Sequence, residues 1–413
     1  MRIMPRNQIR FNLEKLLIVL IIFPIFSPIT TLPIYIRYPI IALWMLIRIP
    51  SIVRQMVHLL YPYLLWLFIN LALFILGEWY FGHYSFGNYM YTALMYMFPI
   101  LMYLSYSYDY KKTLLIRNTV LISLFLGTII TIIANLIVPG ASRILAQGLT
   151  FSSTARMLSR WGCKDFSGIY ASALFMPVIL YNMRKENKER KVWWVLFFLT
   201  MVMIFVSNYT TALLLAFLAI IIHFSIRQRA ISIITAMVIS ILLLIIPSVV
   251  YADFLLFIRN IVGGTTELGS KLYDISLTIR TNEPFGTVSS RSEVYLTSLE
   301  SFRSSILFGG ITNNEAVSGD HSSIFDLLAC FGLMGFAIYM WHLFKIMGVY
   351  IKGFSKKGQT IDARTVLMVV FGMYILLAIF NPIVYSTTIV FAVFIAVPAT
   401  LRGGNRNENI MDY

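Results

Sequence analysis

Apolar runs of membrane-spanning length follow one another along almost the whole chain of 413 residues, separated by short clusters of charge. An α-helix needs about 20 apolar residues to cross the hydrocarbon core of a bilayer, and the pattern predicts about twelve such spans, with roughly eleven to fourteen compatible with it. The predicted spans are residues 12–30, 32–49, 59–76, 89–108, 118–138, 166–183, 192–207, 209–226, 230–250, 321–344, 365–380 and 383–401.

Three of the predicted connections between spans are very short. They are Thr30–Leu32, Ser207–Asn208 and Asn381–Pro382. At these places a re-entrant pair of helices is the alternative to two complete spans.

The positive charges orient the predicted bundle. If the N-terminus lies in the cytoplasm, most of the 33 Lys and Arg residues fall in cytoplasmic segments, which is the bias expected of membrane proteins. One span more or fewer in mid-chain would invert the later loops and destroy that bias. We therefore expect a multi-pass protein with both termini in the cytoplasm.

The composition agrees with a membrane protein and argues against other classes. Apolar residues make up 59% of the chain and charged residues 12%, far from the values of soluble domains. In a soluble protein the net charge of +15 would suggest nucleic acid, but in a membrane protein its sidedness explains it, so no nucleic-acid partner is expected. The two cysteines, Cys163 and Cys330, fit neither a disulfide framework nor a zinc site. The chain 1–413 is predicted to be a single all-α integral membrane domain.

The longest hydrophilic segment is the predicted extracytoplasmic loop 251–320, between spans nine and ten. Loops this long are usually functional or disordered, and the apolar residues throughout this one favour order. Within it, Ser290–Ser305 is predicted to be an amphipathic helix that lies on the outer membrane surface and ends at Leu307-Phe308-Gly309-Gly310. Its apolar residues at helical spacing are Tyr295, Leu299 and Phe302. The alternative is a helix packed on other loop residues without lipid contact.

Basic residues on the outer side run against the topological bias, and nearly all of them lie in two outer loops, 139–165 and 251–320. An arginine near hydrocarbon costs about 2.5–3.5 kcal/mol and is tolerated where it faces a water-filled cavity or an anion. The phosphate of a lipid is the natural anion at this depth, and arginine binds phosphate oxygens with a planar fork of donors. The sequence therefore predicts phosphate contacts from Arg160 and Arg291.

Other outer arginines are weaker candidates for the same role. They are Arg156, Arg280, Arg303 and Arg37, the last near a helix end where it can snorkel. For every one of these arginines an ordinary ion pair, with Asp165, Glu293 or Asp320, is the alternative.

His321 is the histidine at the boundary between the large loop and the following span. A histidine at the mouth of a cavity can accept a proton near neutral pH or donate to a phosphate. The alternative is a capping region in which Asp320 caps the helix and His321 is merely polar.

Signals for other enzyme classes are missing from the sequence. No cytoplasmic segment carries an Asp-x-Asp pair, no Walker-type glycine loop is present, and no Ser/His/Asp arrangement can be defended. This argues against a cytoplasmic sugar-nucleotide transferase and against an ATPase.

Several short motifs then occur in a characteristic order in and after the large loop. They are Ser290-Arg291-Ser292-Glu293, Ser298-Leu299-Glu300-Ser301-Phe302, Leu307-Phe308-Gly309-Gly310, Gly319-Asp320-His321-Ser322-Ser323 and the run from Asp326 to Phe336. This order resembles Wzy-type O-antigen and capsule repeat-unit polymerases and the related O-antigen ligases. Arg160-Trp161-Gly162 with the following helix of small residues resembles a second stretch of that family.

The resemblance implies a metal-independent, cofactor-free glycosyltransferase with a fold like that of the GT-C enzymes, in the bacterial cytoplasmic membrane. It implies transfer of a growing glycan from undecaprenyl pyrophosphate to the non-reducing end of another lipid-linked unit, with a chain-length regulator and a flippase as possible partners. Arg291 and His321 would be catalytic, and Arg156, Arg160, Arg280 and Arg291 would bind the pyrophosphate.

The resemblance leaves alternatives open. Family members often carry a Ser-Arg pair at a short outer turn, which here is Ser207-Asn208-Tyr209, so Arg156 or Arg160 would have to replace that contact. A ligase with the same donor and another acceptor is not separated from a polymerase by any local residue. A flippase or transporter fits less well, because the longest loop lies outside rather than between the sixth and seventh spans.

Overall fold

The computed structural model describes residues 6–26, 36, 39–50, 61–68, 71, 86–107, 109–146, 152–185, 189–226, 248–264, 267–281, 283, 285–309, 321–354, 361–383 and 386–403. Every regular element among these residues is a helix. The helices named below, numbered along the chain, are α1 (Arg6–Phe26), α2 (Pro39–Pro50), α3 (Phe86–Tyr106), α4 (Tyr110–Ile137), α5 (Ala141–Ala146), α6 (Ser153–Trp161), α7 (Phe166–Arg184), α8 (Arg190–Val206), α9 (Thr210–Ile226), α10 (Ser248–Val262), α11 (Glu267–Thr281), α12 (Thr287–Ser304), α13 (Ser323–Gly353), α14 (Ile361–Phe380), α15 (Thr387–Phe391) and α16 (Val397–Gly403). Residues 61–68 are also helical, and a π-helical stretch, Ala392–Ala396, joins α15 to α16.

Four helical segments of the described chain are long and apolar enough to cross a membrane. They are α4, α13, α14 and the segment Ser153–Arg184, which contains α7. Shorter apolar helices are α2, α9 and the last segment, Thr387–Arg402. The all-α membrane class predicted from the sequence is therefore consistent with the structure, while the number of twelve spans stays a prediction. The predicted span 230–250 lies outside the described residues except for its last three positions, which begin α10.

Helix α7 is the centre of the bundle. Every residue from Ser167 to Met183 is buried, and the helix packs against α5, α8, α9, α14, α15 and α16. Its first half carries the small residues Gly168, Ala171 and Ala173, which let neighbouring backbones approach closely. Close packing of this kind holds membrane helices together, because the lipid is as apolar as the side chains and the hydrophobic effect does not favour helix association. The start of this helix is consequently a fixed point from which side chains can be positioned.

The ends of several helices, with the turns between them, meet at one end of the bundle, which is called the site end below. The Tyr209 hydroxyl donates to the carbonyl of Ser142 at 3.2 Å, which joins the α8–α9 turn to α5. The Tyr170 hydroxyl donates to Asn381 Oδ1 at 3.0 Å, which joins α7 to the turn after α14. The backbone N–H of Ser323 donates to the carbonyl of Asn381 at 3.2 Å, which adds the start of α13.

Ion pairs gather at the opposite end. Glu14 pairs with Lys112 and, at 3.1 Å, with Arg48, and Arg117 pairs with Glu189. These basic residues belong to the segments that the charge bias assigns to the cytoplasm. Partly buried charges need such partners, because leaving one unpaired away from water is costly.

The described part of the large loop is folded into helices α10, α11 and α12. Helix α12 begins at Thr287, three residues before the predicted start, and its buried residues are Ser298 and Ser301. The apolar Leu296 is 50% exposed. Against α13, helix α12 uses both polar and aromatic groups: Ser298 Oγ donates to Asp326 Oδ1 at 2.8 Å, and the ring of Tyr295 lies 5.7 Å from that of Phe325. The position of this helix on the outer membrane surface stays a prediction.

Two glycines join the end of the loop to the membrane helix α13. Gly332 interrupts α13 with a φ of +63°, and the freed N–H groups of Leu333 and Met334 donate to the carbonyls of Ile306 (2.8 Å) and Leu307 (3.2 Å). Gly309, with a φ of +65°, approaches so closely that an added Cβ would lie 2.5 Å from the nitrogen of Gly332. The predicted glycine break after α12 is thus a turn that satisfies the backbone donors of a broken helix.

Candidate functional site

A cavity of about 590 Å³ opens at the site end and is called the Arg291 cavity. Its wall is assembled from α5, α7, α9, α11, α12, and the ends of α13 and α14. Its lining residues are Arg143, Ala146, Phe166, Tyr170, Tyr209, Thr210, Thr211, Leu214, Lys271, Ile275, Arg291, Ser292, Tyr295, His321, Phe380, Asn381 and Pro382. The structure therefore places Arg291 and His321, which the sequence proposes as catalytic, in one cavity.

Three basic residues share this cavity. They are Arg143, Lys271 and Arg291, and the described residues that line the cavity include no acidic side chain. Burial, with added repulsion from Arg143 and Arg291, lowers the pKa of Lys271 to about 8. Burial and repulsion from Arg291 also lower the pKa of Arg143. A cavity with this excess of positive charge favours an anion.

Arg143 is the site residue that the sequence reasoning did not single out. Its Nη2 lies 3.5 Å from the carbonyl of Asn208, and its guanidinium lies 5.5 Å from the ring centre of Tyr209. Asn208 adopts a φ of +57°, a left-handed conformation that asparagine tolerates, and this aims its carbonyl toward α5. Arg143 therefore lies against the turn that contains Asn208 and Tyr209, whereas Arg156 and Arg160 are not among the lining residues of this cavity.

Hydrogen bonds fix the residues that follow His321 in the chain. Ser322 caps α13, with its Oγ accepting from the N–H of Phe325 at 3.2 Å, so the alternative cap by Asp320, which lies outside the described residues, is not needed. Ser323 Oγ donates to the carbonyl of Asn381 at 3.1 Å. Asp326 accepts from Ser298 Oγ of α12 at 2.8 Å. These bonds tie the loop helix and both membrane helices to the residues that follow His321.

Buried polar atoms on the wall that lack a hydrogen-bond partner among the described residues include Nδ2 of Asn381, a residue only 7% exposed, and Oγ1 of Thr210. A buried donor without a partner costs about 1–3 kcal/mol, so such a group is most readily explained by a ligand or water that it binds. The amide of Asn381 is thus available to an oxygen-rich ligand.

Aromatic rings form much of the remaining wall. Tyr170 and Tyr209 meet edge to face with ring centres 5.8 Å apart, and the Tyr295 hydroxyl donates to the carbonyl of Phe380 at 3.2 Å. Leu214 (64% exposed) and Phe380 (46% exposed) lie at the rim on apolar helices. The cavity therefore combines charge, hydrogen-bonding groups and aromatic faces, and its rim is apolar.

A second cavity of about 550 Å³ contains the other predicted arginines and is called the Arg160 cavity. Arg156 and Arg160 of α6 line it together with Lys164 and Asp165 from the α6–α7 connection. The first turn of α7 separates the two cavities, because Phe166 faces the Arg291 cavity while Gly168 faces the Arg160 cavity. The structure thus does not bring Arg160 and Arg291 together.

Arg280 lies in neither cavity. Its guanidinium pairs with Asp253 of α10, and both side chains are exposed. Arg303, in the last turn of α12, also lies outside the lining of both cavities, and Arg37 lies outside the described residues. For Arg280 the alternative of an ordinary ion pair is the one that the structure contains.

Comparison with known proteins does not assign the chain to a family. No protein-family model matches the sequence, and no curated protein matches it at a significant level.

Proposed function

We propose that the protein is a glycosyltransferase that polymerises lipid-linked oligosaccharide repeat units into a surface polysaccharide, with the donor pyrophosphate bound in the Arg291 cavity. The substrate would be a glycan on undecaprenyl pyrophosphate at the outer face of the bacterial cytoplasmic membrane. The observation that carries the proposal is the presence of Arg143, Lys271, Arg291 and His321 in one cavity whose described lining has no acidic side chain.

The composition of the cavity supports a sugar-bearing phosphorylated lipid over a small anion. The two phosphates of a lipid pyrophosphate would balance the positive charges of the cavity, and arginine donates in a planar fork to phosphate oxygens. The aromatic faces of Tyr170, Tyr209 and Tyr295 and the amide of Asn381 suit a glycan. The exposed Leu214 and Phe380 at the rim suit a lipid chain entering from the bilayer.

The proposed reaction is a displacement at the anomeric carbon of the donor sugar. The acceptor hydroxyl forms a new bond to that carbon, the bond from the carbon to the pyrophosphate oxygen breaks, and the lipid pyrophosphate departs with the bonding electrons. Arg143, Lys271 and Arg291 neutralise the charge that develops on the departing group, as fixed donors do in other enzymes. His321 accepts the proton of the acceptor hydroxyl or holds a phosphate oxygen.

The first prediction concerns Arg291. In a strain that lacks the gene, the wild-type chain should restore polymer, and Arg291→Ala should leave surface glycan with single repeat units. We expect polymerisation to fall on the order of 100-fold, the loss typical of removing one donor to a developing charge. Arg291→Lys should also be weak, because the forked contact is lost. Gel analysis of the extracted glycan measures the result.

Arg303→Ala is the matched control, since Arg303 lies on the same helix but outside the cavity. It should support polymer of normal length. Normal polymer with Arg291→Ala would contradict the site, and accumulation of free lipid-linked polymer in the deletion strain would indicate a ligase instead.

A further inference from the structure

The Arg160 cavity has the features of a second binding site for a phosphate group. Arg156 and Arg160 stand at its mouth, both exposed, and Lys164 forms part of its floor. Asp165 is the one acidic residue among the described residues that line it, and that carboxylate accepts from the N–H of Gly168 at 3.1 Å and from Ser167 Oγ at 2.6 Å. Because Asp165 serves as the cap of α7, the cavity keeps an excess of positive charge.

Lys164 lies in the wall of the cavity with its ammonium turned toward α4 and α7. The residue is 4% exposed, and its ammonium donates to Thr128 Oγ1 (3.2 Å), Ser172 Oγ (3.3 Å) and the carbonyl of Leu124 (3.4 Å). All three acceptors are uncharged. None of these three acceptors lines the Arg160 cavity, so the positive charge at its mouth comes from Arg156 and Arg160.

The absence of a side chain at residue 168 makes this placement possible. A Cβ at Gly168 would lie 2.8 Å from Cβ of Lys164 and 3.0 Å from its Cγ. The lysine stem therefore lies directly on the first turn of α7, and its ammonium reaches between α4 and α7. The motif Trp161-Gly162 likewise has a local role: Gly162, with a φ of +85°, ends α6 and lets the chain turn into this connection.

The apolar surroundings of the cavity favour a lipid over a soluble phosphate. Pro24 and Ile25 of α1 and Leu145 of α5 line it, and Trp161 beside Arg160 is 40% exposed. An exposed tryptophan beside arginines is typical of the interface between water and hydrocarbon, the depth at which lipid phosphates lie. The volume of about 550 Å³ falls within the range of ligand-binding cavities.

We infer that the Arg160 cavity binds the phosphorylated head group of a second lipid, separate from the one in the Arg291 cavity. This site rests on its own residues, while its role rests on the proposed function: a polymerase holds two lipid-linked substrates, and the second cavity would receive the acceptor. The first turn of α7 is the shared wall between the two head groups.

Equilibrium binding of radiolabelled undecaprenyl pyrophosphate to the purified full-length chain tests the inference. The wild-type chain should bind two equivalents. Arg156→Ala/Arg160→Ala should retain one and weaken the other on the order of 100-fold, as expected for two lost charge-assisted contacts. Arg291→Ala should also retain one equivalent, and the double variant Arg190→Ala/Lys191→Ala, which removes two exposed charges at the opposite end, should retain two.

The outcomes separate the two proposals. Two full equivalents bound by Arg156→Ala/Arg160→Ala would overturn the second site and leave the Arg291 cavity intact. Two equivalents bound by Arg291→Ala, together with one bound by Arg156→Ala/Arg160→Ala, would contradict the proposed donor site and leave the second site. Competition by inorganic pyrophosphate as strong as that by the labelled lipid would overturn the lipid as the ligand.

Discussion

At the scale of the residue, the charge state of Lys271 is set by its neighbours. Burial comes first and repulsion from Arg143 and Arg291 second, and together they bring its pKa to about 8, close to physiological pH. A phosphate bound in the Arg291 cavity would stabilise the charged ammonium and so raise that pKa. When the phosphate binds above pH 8, where Lys271 of the free protein is largely neutral, the lysine must therefore take up a proton.

The resulting prediction concerns the pH dependence of binding. The affinity of the wild-type chain for undecaprenyl pyrophosphate should fall as the pH rises from 7 to 9, because a growing fraction of Lys271 must be protonated on binding. Lys271→Arg keeps the charge over that range and should abolish this part of the decline. Binding isotherms at a series of pH values measure it, and an unchanged decline in Lys271→Arg would assign the effect to another group.

Individual residues also show how far the sequence could be followed. Arg291 and His321 stand out because charge and a titratable group occur where topology disfavours them, and the structure does place them together. Arg143 gave no such signal beyond its charge, since its role depends on the Asn208–Tyr209 turn, which is distant in the chain. Only packing of α5 against the α8–α9 turn creates that contact.

At the scale of the element, the glycine contact couples the large loop to a membrane helix. Both Gly309 and Gly332 have positive φ, and an added Cβ at Gly332 would overlap the backbone of Leu307. A shift of the Leu307 backbone or of α13 at Gly332 would break the hydrogen bonds that the N–H groups of Leu333 and Met334 donate to the carbonyls of Ile306 and Leu307. The position of α12, and therefore of Arg291, depends on this contact.

We therefore expect Gly332→Ala to destabilise the protein by about 1–3 kcal/mol from backbone strain, with the overlap adding to it. Thermal unfolding in detergent should show a lower midpoint, and limited proteolysis should cut the loop within 285–309 more rapidly. The control is Gly348→Ala in the same helix, where an added Cβ meets nothing within 4 Å. That variant should be neutral or gain up to about 1 kcal/mol from helix propensity. Equal midpoints for the two variants would contradict the coupling.

The helix bounds show which elements the pattern determines. The predicted spans at 166–183, 209–226 and 365–380 agree with α7, α9 and α14 to within a few residues, because the length of an apolar run is a local property. Helix α12 was predicted from its spacing, but its contact with α13, which includes the Ser298–Asp326 hydrogen bond, could not be predicted from that spacing. Which face of a helix is buried depends on the partner, and small polar residues can serve as well as apolar ones in a close contact.

At the scale of the whole molecule, the two ends of the bundle differ in how charge is held. Ion pairs such as those of Glu14 with Lys112 and Arg48 collect at one end, while the two cavities with excess positive charge lie at the other. The paired cations Arg48, Lys112 and Arg117 belong to segments that the charge bias assigns to the cytoplasm, which supports the proposal that the site end faces outward.

Labelling of single cysteines tests that orientation. In a chain whose native Cys163 and Cys330 are replaced, Glu300→Cys should react with an impermeant thiol reagent on spheroplasts. Lys191→Cys should react only after the membrane is permeabilised, because both residues are exposed but lie at opposite ends. Labelling of Lys191→Cys on intact spheroplasts, with Glu300→Cys protected, would invert the proposed topology.

The sequence by itself determined that the chain is a helical membrane protein with a large folded loop, because hydrophobic run length and charge clustering are properties of neighbouring residues. It also pointed to Arg160, Arg291 and His321, because charged and titratable groups next to hydrocarbon are unusual and stand out. Only the tertiary structure decided that these residues belong to two cavities. Phe166 and Gly168 lie two positions apart but face different cavities, because side chains two positions apart on a helix point in different directions. Helix α7 therefore separates Arg160 from Arg291 and His321, a separation that the order of residues along the chain does not reveal.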